Sequence, residues 1–439
     1  MTKFIMSIAL LSTMLFYNTG FCCASQPVRL SVDSLFHLID KRNHTIQLEF
    51  LNVKGAEAGG DIARSSRLPH LSASLSIGYL GNGDLTDRDF CNGMGIKNPH
   101  SNNNFAIEAM QTIYSGGAVS GNIRLADLNT HIAKLSLMEN TQQVRFLLLG
   151  WLVDLQCLQN RLRTIEKNIT LAQQVLGNMQ ARFKEGVILQ NDITRYELQI
   201  QDLCLQRDKT SEAVRTINFR LANSLDLPTT TEFVPELTQS GTGDGIMSYS
   251  EWQEQARSSN LSIQKADASI SLNKTKRRII TADKYPHLSL FAYGKFDSPI
   301  VTEVPVLNKN IMYWGFGATV SFNIASLYTT NRRIHQERIA EDASREAYNV
   351  SIKQVQDNVK SAYENYLTAV SELRTREKSL ELARQNYTTV NNRFEDGMAL
   401  VTDMVDAANV LLTAEIGVED AQTMLLFCHY KLKYTTHTL

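Results

Sequence analysis

Residues 144–186 read VRFLLLGWLVDLQCLQNRLRTIEKNITLAQQVLGNMQARFKEG, and apolar side chains recur in this stretch at alternating steps of four and three residues. The members of the apolar stripe are Val144, Leu148, Trp151, Leu155, Leu158, Leu162, Ile165, Ile169, Ala172, Leu176, Met179 and Phe183. A spacing that averages about 3.5 residues keeps one stripe against a partner helix as the two supercoil. Such a helix would be roughly 60 Å long at about 1.5 Å per residue. No compact globular core needs so long a helix, so the stretch predicts coiled-coil packing.

The predicted helix ends at a glycine and is followed by a second helix. Gly186 closes the sequence Arg182-Phe183-Lys184-Glu185-Gly186, and glycine readily takes the left-handed conformation that terminates helices. A second periodic run begins directly afterwards, with apolar positions at Leu189, Ile193, Tyr196, Ile200 and Leu203. We therefore predict an αα-hairpin with its turn near Gly186.

The same hairpin pattern returns 211 residues later. The corresponding positions are Val355, Val359, Ala362, Tyr366, Ala369, Leu373, Arg376, Leu380, Ala383, Tyr387, Val390 and Phe394, of which Arg376 alone breaks the apolar pattern. The turn also returns as Arg393-Phe394-Glu395-Asp396-Gly397, followed by Leu400 and Asp403 where the first copy has Leu189 and Asp192. Because the stripe, the turn and the polar residues all recur at one fixed offset, the sequence indicates an internal repeat.

The segment before each hairpin is also duplicated. A helical pattern over residues 30–67 must end before Pro69, because proline disfavours helical geometry in the residue before it. A break near residues 42–44 is expected, since Asn43 is a poor helix former. A second helical pattern over residues 249–284 ends before Pro286. The pairs that correspond at an offset of 217 are Asn43 with Asn260, Pro69 with Pro286, His70 with His287 and Leu71 with Leu288.

A strand pair is predicted after each proline. Residues 71–79 alternate apolar and small residues with the period of two that strands have. A loop over residues 81–104 leads to a second strand at 105–114, and the other half repeats this order with strands at 288–296 and 312–324. The strand pairs therefore occupy residues 71–114 and 288–324.

Two interpretations fit these strands, and the secretory signal, the small polar inner face and the lack of another apolar surface for the sheet to cover favour the second. A soluble antiparallel sheet with one face on a core would alternate in the same way. A transmembrane barrel wall, apolar toward lipid and small or polar toward a lumen, also fits, because barrel strands need about nine to eleven residues. Four strands are too few to close a barrel, whose smallest membrane forms have about eight. A barrel would therefore need several chains, since an open edge in lipid is not tolerated.

The N-terminus is predicted to be a secretory signal peptide. Lys3 precedes an apolar run from Phe4 to Phe16, and small residues precede a plausible cleavage site after Ala24, as in signal peptides. A lipoprotein signal with Cys22 or Cys23 as the lipidated residue is the alternative. No later apolar run approaches the roughly twenty residues of a membrane helix.

The net charge, the cysteine spacing and the motifs do not indicate an enzyme or a nucleic-acid-binding protein. The formal net charge is −1, which gives no electrostatic case for a nucleic-acid partner. The cysteines beyond the signal segment are Cys91, Cys157, Cys204 and Cys428. They share no close spacing, so neither a disulfide framework nor a zinc site is expected. We find no catalytic motif, phosphate loop or metal-ligand spacing, and we expect His70 and His287 to have a structural or interfacial role.

The layout resembles the TolC-like outer-membrane efflux protein family. The residues that carry the resemblance are Arg182, Phe183, Gly186, Leu189 and Asp192, their counterparts Arg393, Phe394, Gly397, Leu400 and Asp403, the helix-to-strand switches Pro69 and Pro286, and the turn Tyr114-Ser115-Gly116-Gly117. Tyr196 departs from the family pattern, and the second strand-to-helix turn lacks the usual glycines. The resemblance covers essentially the whole chain after the signal segment.

The resemblance implies a fold, a membrane location and partners. The fold class would be α+β, with two repeats of long coiled-coil hairpins and four strands per chain in a trimeric, twelve-stranded barrel. The division would be a signal peptide at 1–24, a first repeat at 25–240 and a second at 241–439. The homotrimer would lie in outer-membrane lipid, with a helical tunnel in the periplasm. A periplasmic adaptor (a membrane fusion protein) would connect it to an inner-membrane transporter.

The predicted function is therefore a passive exit duct without enzymatic activity or cofactor, and a periplasmic coiled-coil scaffold without a pore is the alternative. Drugs, metal ions, proteins and polysaccharide are all compatible cargoes. The hypothetical adaptor-contacting residues at the two turns are Arg182, Gly186, Asp192, Arg393, Gly397 and Asp403. Within this set, the glycines are required by the turns and the aspartates can cap the returning helices. The arginines are not needed to form a turn, so they are the stronger candidates for contact.

Overall fold

The structure, a computed structural model, describes residues 27–186, 188–237, 247–303 and 306–439. The predicted signal peptide, with Cys22 and Cys23, and the predicted boundary between the repeats near residue 240 lie outside these ranges. The described residues form two compact units, and each unit combines segments from both halves of the sequence. The first unit draws on the described residues of Met1–Asn43, Arg145–Asp244 and Tyr366–His429, and the second on those of His44–Val144, Gly245–Asn365 and Tyr430–Leu439.

The secondary structure has the predicted class and order. The helices are α1 (Val32–Arg42), α2 (His44–Ser65), α3 (Ala118–Lys184), α4 (Gln190–Ser224), α5 (Tyr249–Ser259), α6 (Leu261–Ala282), α7 (Ser326–Glu395) and α8 (Val401–Thr435). The strands are β1 (Val28–Leu30), β2 (His70–Tyr79), β3 (Gly83–Leu85), β4 (Met94–Ile96), β5 (Ser101–Ser115), β6 (Phe233–Pro235), β7 (His287–Ser298) and β8 (Ile311–Ser321). Two shorter helices, two long strands and a pair of long helices therefore occur twice in the same order.

In the part of the chain that the structure describes, no helix combines the length and the apolarity needed to span a membrane.

The predicted apolar stripes form the core of the first unit. One cluster joins side chains of α3, α4, α7 and α8, and its buried members are Ile165, Ile169, Ala172, Val175, Met179, Tyr196, Ile200, Leu203, Phe394, Val401, Met404 and Leu412. Two predicted positions beside the first turn lie outside this core, since Phe183 is 40% and Leu189 72% exposed. The heptad pattern therefore identified the packing face correctly but extended it slightly too far.

Arg376, which breaks the second stripe, lies against a helix position without a side chain. A Cβ atom built on Gly417 of α8 would lie 3.4 Å from Cδ of Arg376. The Arg376 guanidinium also bonds to the carboxylate of Glu372, one turn earlier, at 3.3 Å. Gly417 thus leaves room for the aliphatic part of the arginine while its charge stays paired, and α7 continues without interruption.

Asn43 and Asn260 separate the short helices and hold the ends of the long ones. In the first unit, Nδ2 of Asn43 donates to the carbonyl of Ser224 at the end of α4 (3.0 Å). In the second unit, Nδ2 of Asn260 donates to the carbonyl of Thr435 at the end of α8 (3.3 Å). Both asparagines are at most 7% exposed. Each therefore satisfies a carbonyl that a helix C-terminus would otherwise leave unpaired.

Several sequence-based boundaries were wrong near the chain ends. Leu30 belongs to β1, not to a helix, and β1 pairs in parallel with β6. Leu30 and Phe233 are both fully buried. Local periodicity does not reveal a parallel pairing between segments 200 residues apart. The C-terminal tail is likewise docked: Ser259 Oγ donates to the carbonyl of Thr436 (2.6 Å) and Gln142 Nε2 to that of Leu439 (3.1 Å).

The loops between the long strands also differ from expectation. The predicted loop at 81–104 contains the small β3–β4 hairpin, and β5 already begins at Ser101. The last strand was expected to reach Ile324 but ends at Ser321. Its alternation continues through Phe322, but the backbone turns there, because the N–H of Ser326 donates to the carbonyl of Asn323 (3.1 Å). The alternating pattern alone could not mark this end.

Candidate functional site

The long strands form one antiparallel sheet in the second unit, with the order β2-β5-β7-β8. The registers align three rows of apolar or small residues on one face: Leu75-Phe105-Phe296-Met312, Ala73-Ile107-Gly294-Trp314 and Leu71-Ala109-Ala292-Phe316. Trp314 is 76% and Phe316 78% exposed. Soluble monomers rarely expose a large continuous apolar surface, so this face requires an apolar environment that the described chain does not provide.

The opposite face of the sheet carries small, polar and aromatic side chains. Its rows are Ser74-Ala106-Lys295-Tyr313, Ser72-Glu108-Tyr293-Gly315 and His70-Met110-Phe291-Gly317. Lys295 and Glu108 form an ion pair across neighbouring strands (3.0 Å), and the Tyr313 hydroxyl donates to Asp297 (2.9 Å). The sheet is therefore amphipathic, as both sequence interpretations required.

Two glycines of β8 give room to aromatic rings of β7. A Cβ atom on Gly315 would lie 2.7 Å from the hydroxyl oxygen of Tyr293, and one on Gly317 would lie 2.8 Å from Cζ of Phe291. The rings thus occupy the space that side chains at these two positions would fill, an arrangement that helps to fix strand register. This pairing was not predicted, although the Gly-x-Gly pattern of β8 was a visible signal.

Both edges of this sheet are open within the described residues. β2 pairs with β5 on one side and β8 pairs with β7, and neither edge strand has a second partner. Exposed strand edges invite pairing with another chain. The sheet therefore presents two unpaired edges at the ends of an exposed apolar face.

The helix-to-strand switches lie where the sequence placed them. Pro69 falls between the end of α2 and the start of β2, and Pro286 between α6 and β7. Gly116 and Gly117, in the turn between β5 and α3, have positive φ angles of 62° and 90°. A side chain on Gly116 would meet the carbonyl oxygen of Ala282 at 2.6 Å, so this turn requires glycine.

Arg182 connects the turn between α3 and α4 (the first turn) to the turn between α7 and α8 (the second turn). In the first unit, its guanidinium donates to the carbonyls of Phe394 (2.8 Å) and Glu395 (2.6 Å) at the end of α7. The same guanidinium lies 5.5 Å from the ring centroid of Phe394, which is 6% exposed. A cation at a helix C-terminus is favourable, because the terminal carbonyls carry partial negative charge.

The arginine of the second turn has no polar side-chain contact among the described residues. Arg393, the counterpart of Arg182, is exposed, and among the described residues it has no hydrogen bond or ion pair through its side chain. Gly186 and Gly397 have φ angles of 77° and 74°, and no atom lies within 4 Å of a Cβ built on either. Both glycines are therefore required by backbone conformation alone.

The two aspartates bond to the start of the returning helices. The carboxylate of Asp192 accepts the backbone N–H of Leu189 (3.4 Å), and that of Asp403 accepts the N–H of Leu400 (3.1 Å). These N–H groups lie at helix N-termini, where a carboxylate is favourable. The sequence had allowed this capping role for both residues.

The Cys157 thiol of the first unit is paired with a carboxylate. The Cys157 thiol donates to Asp420 (3.2 Å), whose carboxylate also accepts two bonds from Arg161 (2.8 and 2.6 Å). Burial and the bond to Asp420 raise the pKa of the Cys157 thiol to about 12, so the reactive thiolate is scarce at neutral pH. No cluster of three potential metal ligands occurs among the described residues.

Comparisons with known proteins agree with this architecture. The family model described as Outer membrane efflux protein matches residues 252–426. No curated protein matches the chain. Among solved structures, the outer-membrane channel OprN is similar with a TM-score of 0.78 and 15% identity, over 93% of this chain and 90% of that one.

Two further outer-membrane proteins are similar over most of their lengths. VceC from Vibrio cholerae has a TM-score of 0.77 and 12% identity, over 92% of this chain and 95% of that one. The CmeC outer membrane channel of Campylobacter jejuni has a TM-score of 0.76 and 13% identity, over 93% and 85%. The resemblance to the TolC-like outer-membrane efflux proteins is thus confirmed. The described chain has the TolC-like fold, and its second half carries the match to the efflux family.

Proposed function

We propose that the protein is a passive outer-membrane channel, the exit duct of a tripartite efflux or secretion system. The observation that carries the proposal is the four-stranded sheet, which is apolar and exposed on one face and open at both edges. A lipid bilayer would accept the apolar face, and pairing with other copies would close the edges, as membrane sheets require.

Three copies fit this requirement. Four strands per chain would give twelve strands in a homotrimer, above the roughly eight of the smallest membrane barrels. The face with Lys295, Glu108 and Tyr313 would then line the lumen. The similar solved channels and the efflux-family match support this arrangement. The proposal includes no catalytic step, and an inner-membrane transporter would supply the energy.

The turns between α3 and α4 and between α7 and α8 are the proposed contact with a periplasmic adaptor. Arg393 is the stronger contact candidate, since its side chain is exposed and has no hydrogen bond or ion pair among the described residues. Arg182 would act indirectly, by holding the second turn through the carbonyls of Phe394 and Glu395. The exposed backbone at Gly186 and Gly397 would form the rest of the contact surface.

The channel is tested with the full-length protein extracted from outer membranes in mild detergent. We expect a trimer by native mass spectrometry and stepwise conductance in planar lipid bilayers. A soluble protein that neither inserts nor conducts would refute the channel and favour a periplasmic scaffold.

The adaptor contact is tested by charge reversal at the two turns. Arg393→Glu should reduce crosslinking to the adaptor encoded with the transporter at least tenfold, with the trimer and its conductance unchanged. Arg374→Glu, an exposed charge reversal on α7 roughly 30 Å from the second turn, serves as the matched control. Equal crosslinking in Arg393→Glu and the control would remove Arg393 from the contact.

A further inference from the structure

The turn that follows α8 repeats the turn that follows α4. In each turn, three backbone N–H groups donate to carbonyls in the last part of the helix. The donor–acceptor pairs after α4 are Leu225–Leu221, Asp226–Asn223 and Leu227–Ala222, and those after α8 are Thr436–Leu432, His437–Tyr434 and Thr438–Lys433. Every residue of the second set lies 211 positions after its counterpart. His437 therefore occupies the place that Asp226 has in the first turn.

His437 has a left-handed backbone conformation. Its φ angle is 56°, and that of Asp226 is 50°. Helices commonly end with a left-handed residue, for which glycine is the usual choice and asparagine an alternative. Aspartate also tolerates this conformation, because its short polar side chain can bond locally. The turn alone therefore gives no reason for an imidazole ring at position 437.

The imidazole of His437 is buried without a polar partner. Both ring nitrogens, Nδ1 and Nε2, are buried, and neither bonds to a residue in the described part of the chain. The ring lies beside that of Tyr434, with 6.3 Å between the ring centroids. A buried imidazole without a bonding partner is held in its neutral form, because the charged form would lose its hydration.

His437 borders a polar cavity of about 500 Å³ in the second unit. Among the described residues that line this cavity, Glu139 of α3 is the one with a charge. Its carboxylate accepts bonds from Lys265 and Ser262 of α6. The residues that α7 contributes to the lining are uncharged, namely Val350, Ser351, Gln354, Val355 and Asn358.

The neighbours of His437 on α8 do not compensate a charge on its ring. Burial raises the pKa of Tyr434, so this residue is neutral at and below neutral pH. The ammonium group of Lys433 lies over the ring of Tyr430, 5.9 Å from its centroid. Glu139 is therefore the acidic group that can favour an imidazolium at position 437.

Burial outweighs the attraction of Glu139. The pKa of His437 is lowered below its usual value by burial of the ring, and the Glu139 carboxylate offsets only part of this shift. A hydrated His437 would return to the ordinary pKa of about 6.5. Burial of a neutral histidine with a lowered pKa is favourable above that value and becomes unfavourable as the pH falls through it. Acidification below about pH 6.5 therefore favours release of the ring.

The residues around His437 attach the end of α8 to three other helices. The carbonyl of Thr435 accepts a bond from Asn260 at the start of α6, that of Thr436 from Ser259 of α5, and that of Leu439 from Gln142 of α3. Thr436 is fully buried. Because His437 follows Thr436 directly, hydration of an imidazolium at position 437 would lift the segment from these contacts.

We infer that residues 436–439 form an acid-sensitive latch, which holds the end of α8 against α3 and α5 while His437 is neutral and is released when His437 is protonated. Release would free the carbonyl end of α8 and loosen its junction with the start of α6. The inference concerns the second unit alone and does not depend on the proposed channel.

The test is amide hydrogen exchange, followed by mass spectrometry, in the full-length protein in mild detergent at about pH 7.5 and about pH 5.5, on either side of the ordinary histidine pKa. Exchange rates are corrected for the intrinsic effect of pH. The peptide that covers residues 434–439 is compared with the peptide that covers 223–228, which contains the same turn without a histidine. His437→Asn is the matched variant, because asparagine accepts the left-handed conformation but takes up no proton in this range.

The outcomes decide for or against the latch. The corrected exchange of residues 436–438 should rise about tenfold between the two pH values, the limit for one histidine that is protonated only after release. This rise should disappear in His437→Asn, while the 223–228 peptide stays within about twofold in both proteins. An unchanged rate in the parent protein, an equal rise in the 223–228 peptide, or a rise that persists in His437→Asn would overturn the inference.

Discussion

α6 and α2 descend from corresponding positions of the repeat but meet different environments. α6 is held on both sides by its own chain, through Glu139 on α3 and Glu341 on α7. α2 has one chain partner and exposes Leu48, Leu51 and Ile62 on its other side. The comparison shows that a duplicated helix can keep its fold while one face changes from a polar contact within the chain to an exposed apolar surface.

The largest effect is expected from giving α6 the apolar residue that α2 carries. Lys265→Leu, which copies Leu48, would leave the carboxylate of Glu139 on α3 without its charged donor and should cost about 2.5 kcal/mol. Adding Glu139→Val, which copies Val350 at the corresponding position of α7, should recover at least half of this loss. Thermal unfolding followed by circular dichroism measures both variants. Failure of the double variant to recover would mean that the loss does not arise from the unpaired carboxylate.

The second-largest loss of stability is expected at Glu341, in the contact of α6 with α7. The contact of α2 with α3 corresponds to it in the repeat. Glu341 is 5% exposed and accepts bonds from Arg277 and Arg345, each at 2.9 Å. Burial alone would raise the pKa of Glu341, but the bonds from Arg345 and Arg277 lower it overall. Glu341→Gln should therefore reduce stability by about 2 kcal/mol at neutral pH.

The pH dependence of this loss follows from the lowered pKa. A carboxylate with a lowered folded pKa stabilises the protein above its unfolded pKa, about 4.3, and loses this contribution as the pH falls through the folded value. Thermal unfolding followed by circular dichroism should show the variant and the parent converging below about pH 4. Thr130→Val, at the counterpart of Glu341, is the matched control and should cost less than about 1 kcal/mol.

The third effect contrasts the two turns. Arg182→Ala should destabilise the protein by about 1.5 kcal/mol, because it leaves the carbonyls of Phe394 and Glu395 without their charged donor. Arg393→Ala should change stability by less than about 0.5 kcal/mol, as expected for an exposed side chain. Urea unfolding monitored at neutral pH measures both. Equal losses would mean that the two arginines have the same structural role.

The smallest loss of stability is expected at Asn43 and Asn260, which make corresponding contacts in the two halves. Asn43→Ala and Asn260→Ala should each cost about 1 kcal/mol, since each removes one donor to a helix-end carbonyl. Similar losses in thermal unfolding would extend the repeat to these positions. A loss for one variant alone would show that the other helix end is satisfied differently.

The sequence predicted the repeating elements but not the contacts that distinguish the halves. Heptad spacing, the two prolines and the glycine turns are local signals, so they predicted the helices and the sheet strands to within a few residues. The bonds from Arg182 to the second turn depend on two segments about 210 residues apart, which periodicity cannot report. The free face of α2 was also missed, because exposed Leu48 and Leu51 look like ordinary core positions in a heptad pattern.

The ion pair of Lys265 with Glu139 has a consequence for how a chain with two similar helices avoids misassembly. During folding, α2 of another copy could replace α6 against α3 and produce a domain swap. That exchange would place Leu48 against Glu139 and leave the carboxylate without its lysine partner. This mispairing loses the charge compensation that the correct arrangement retains. The ionic contact between Lys265 and Glu139 therefore favours α6 over α2 as the helix that packs against α3.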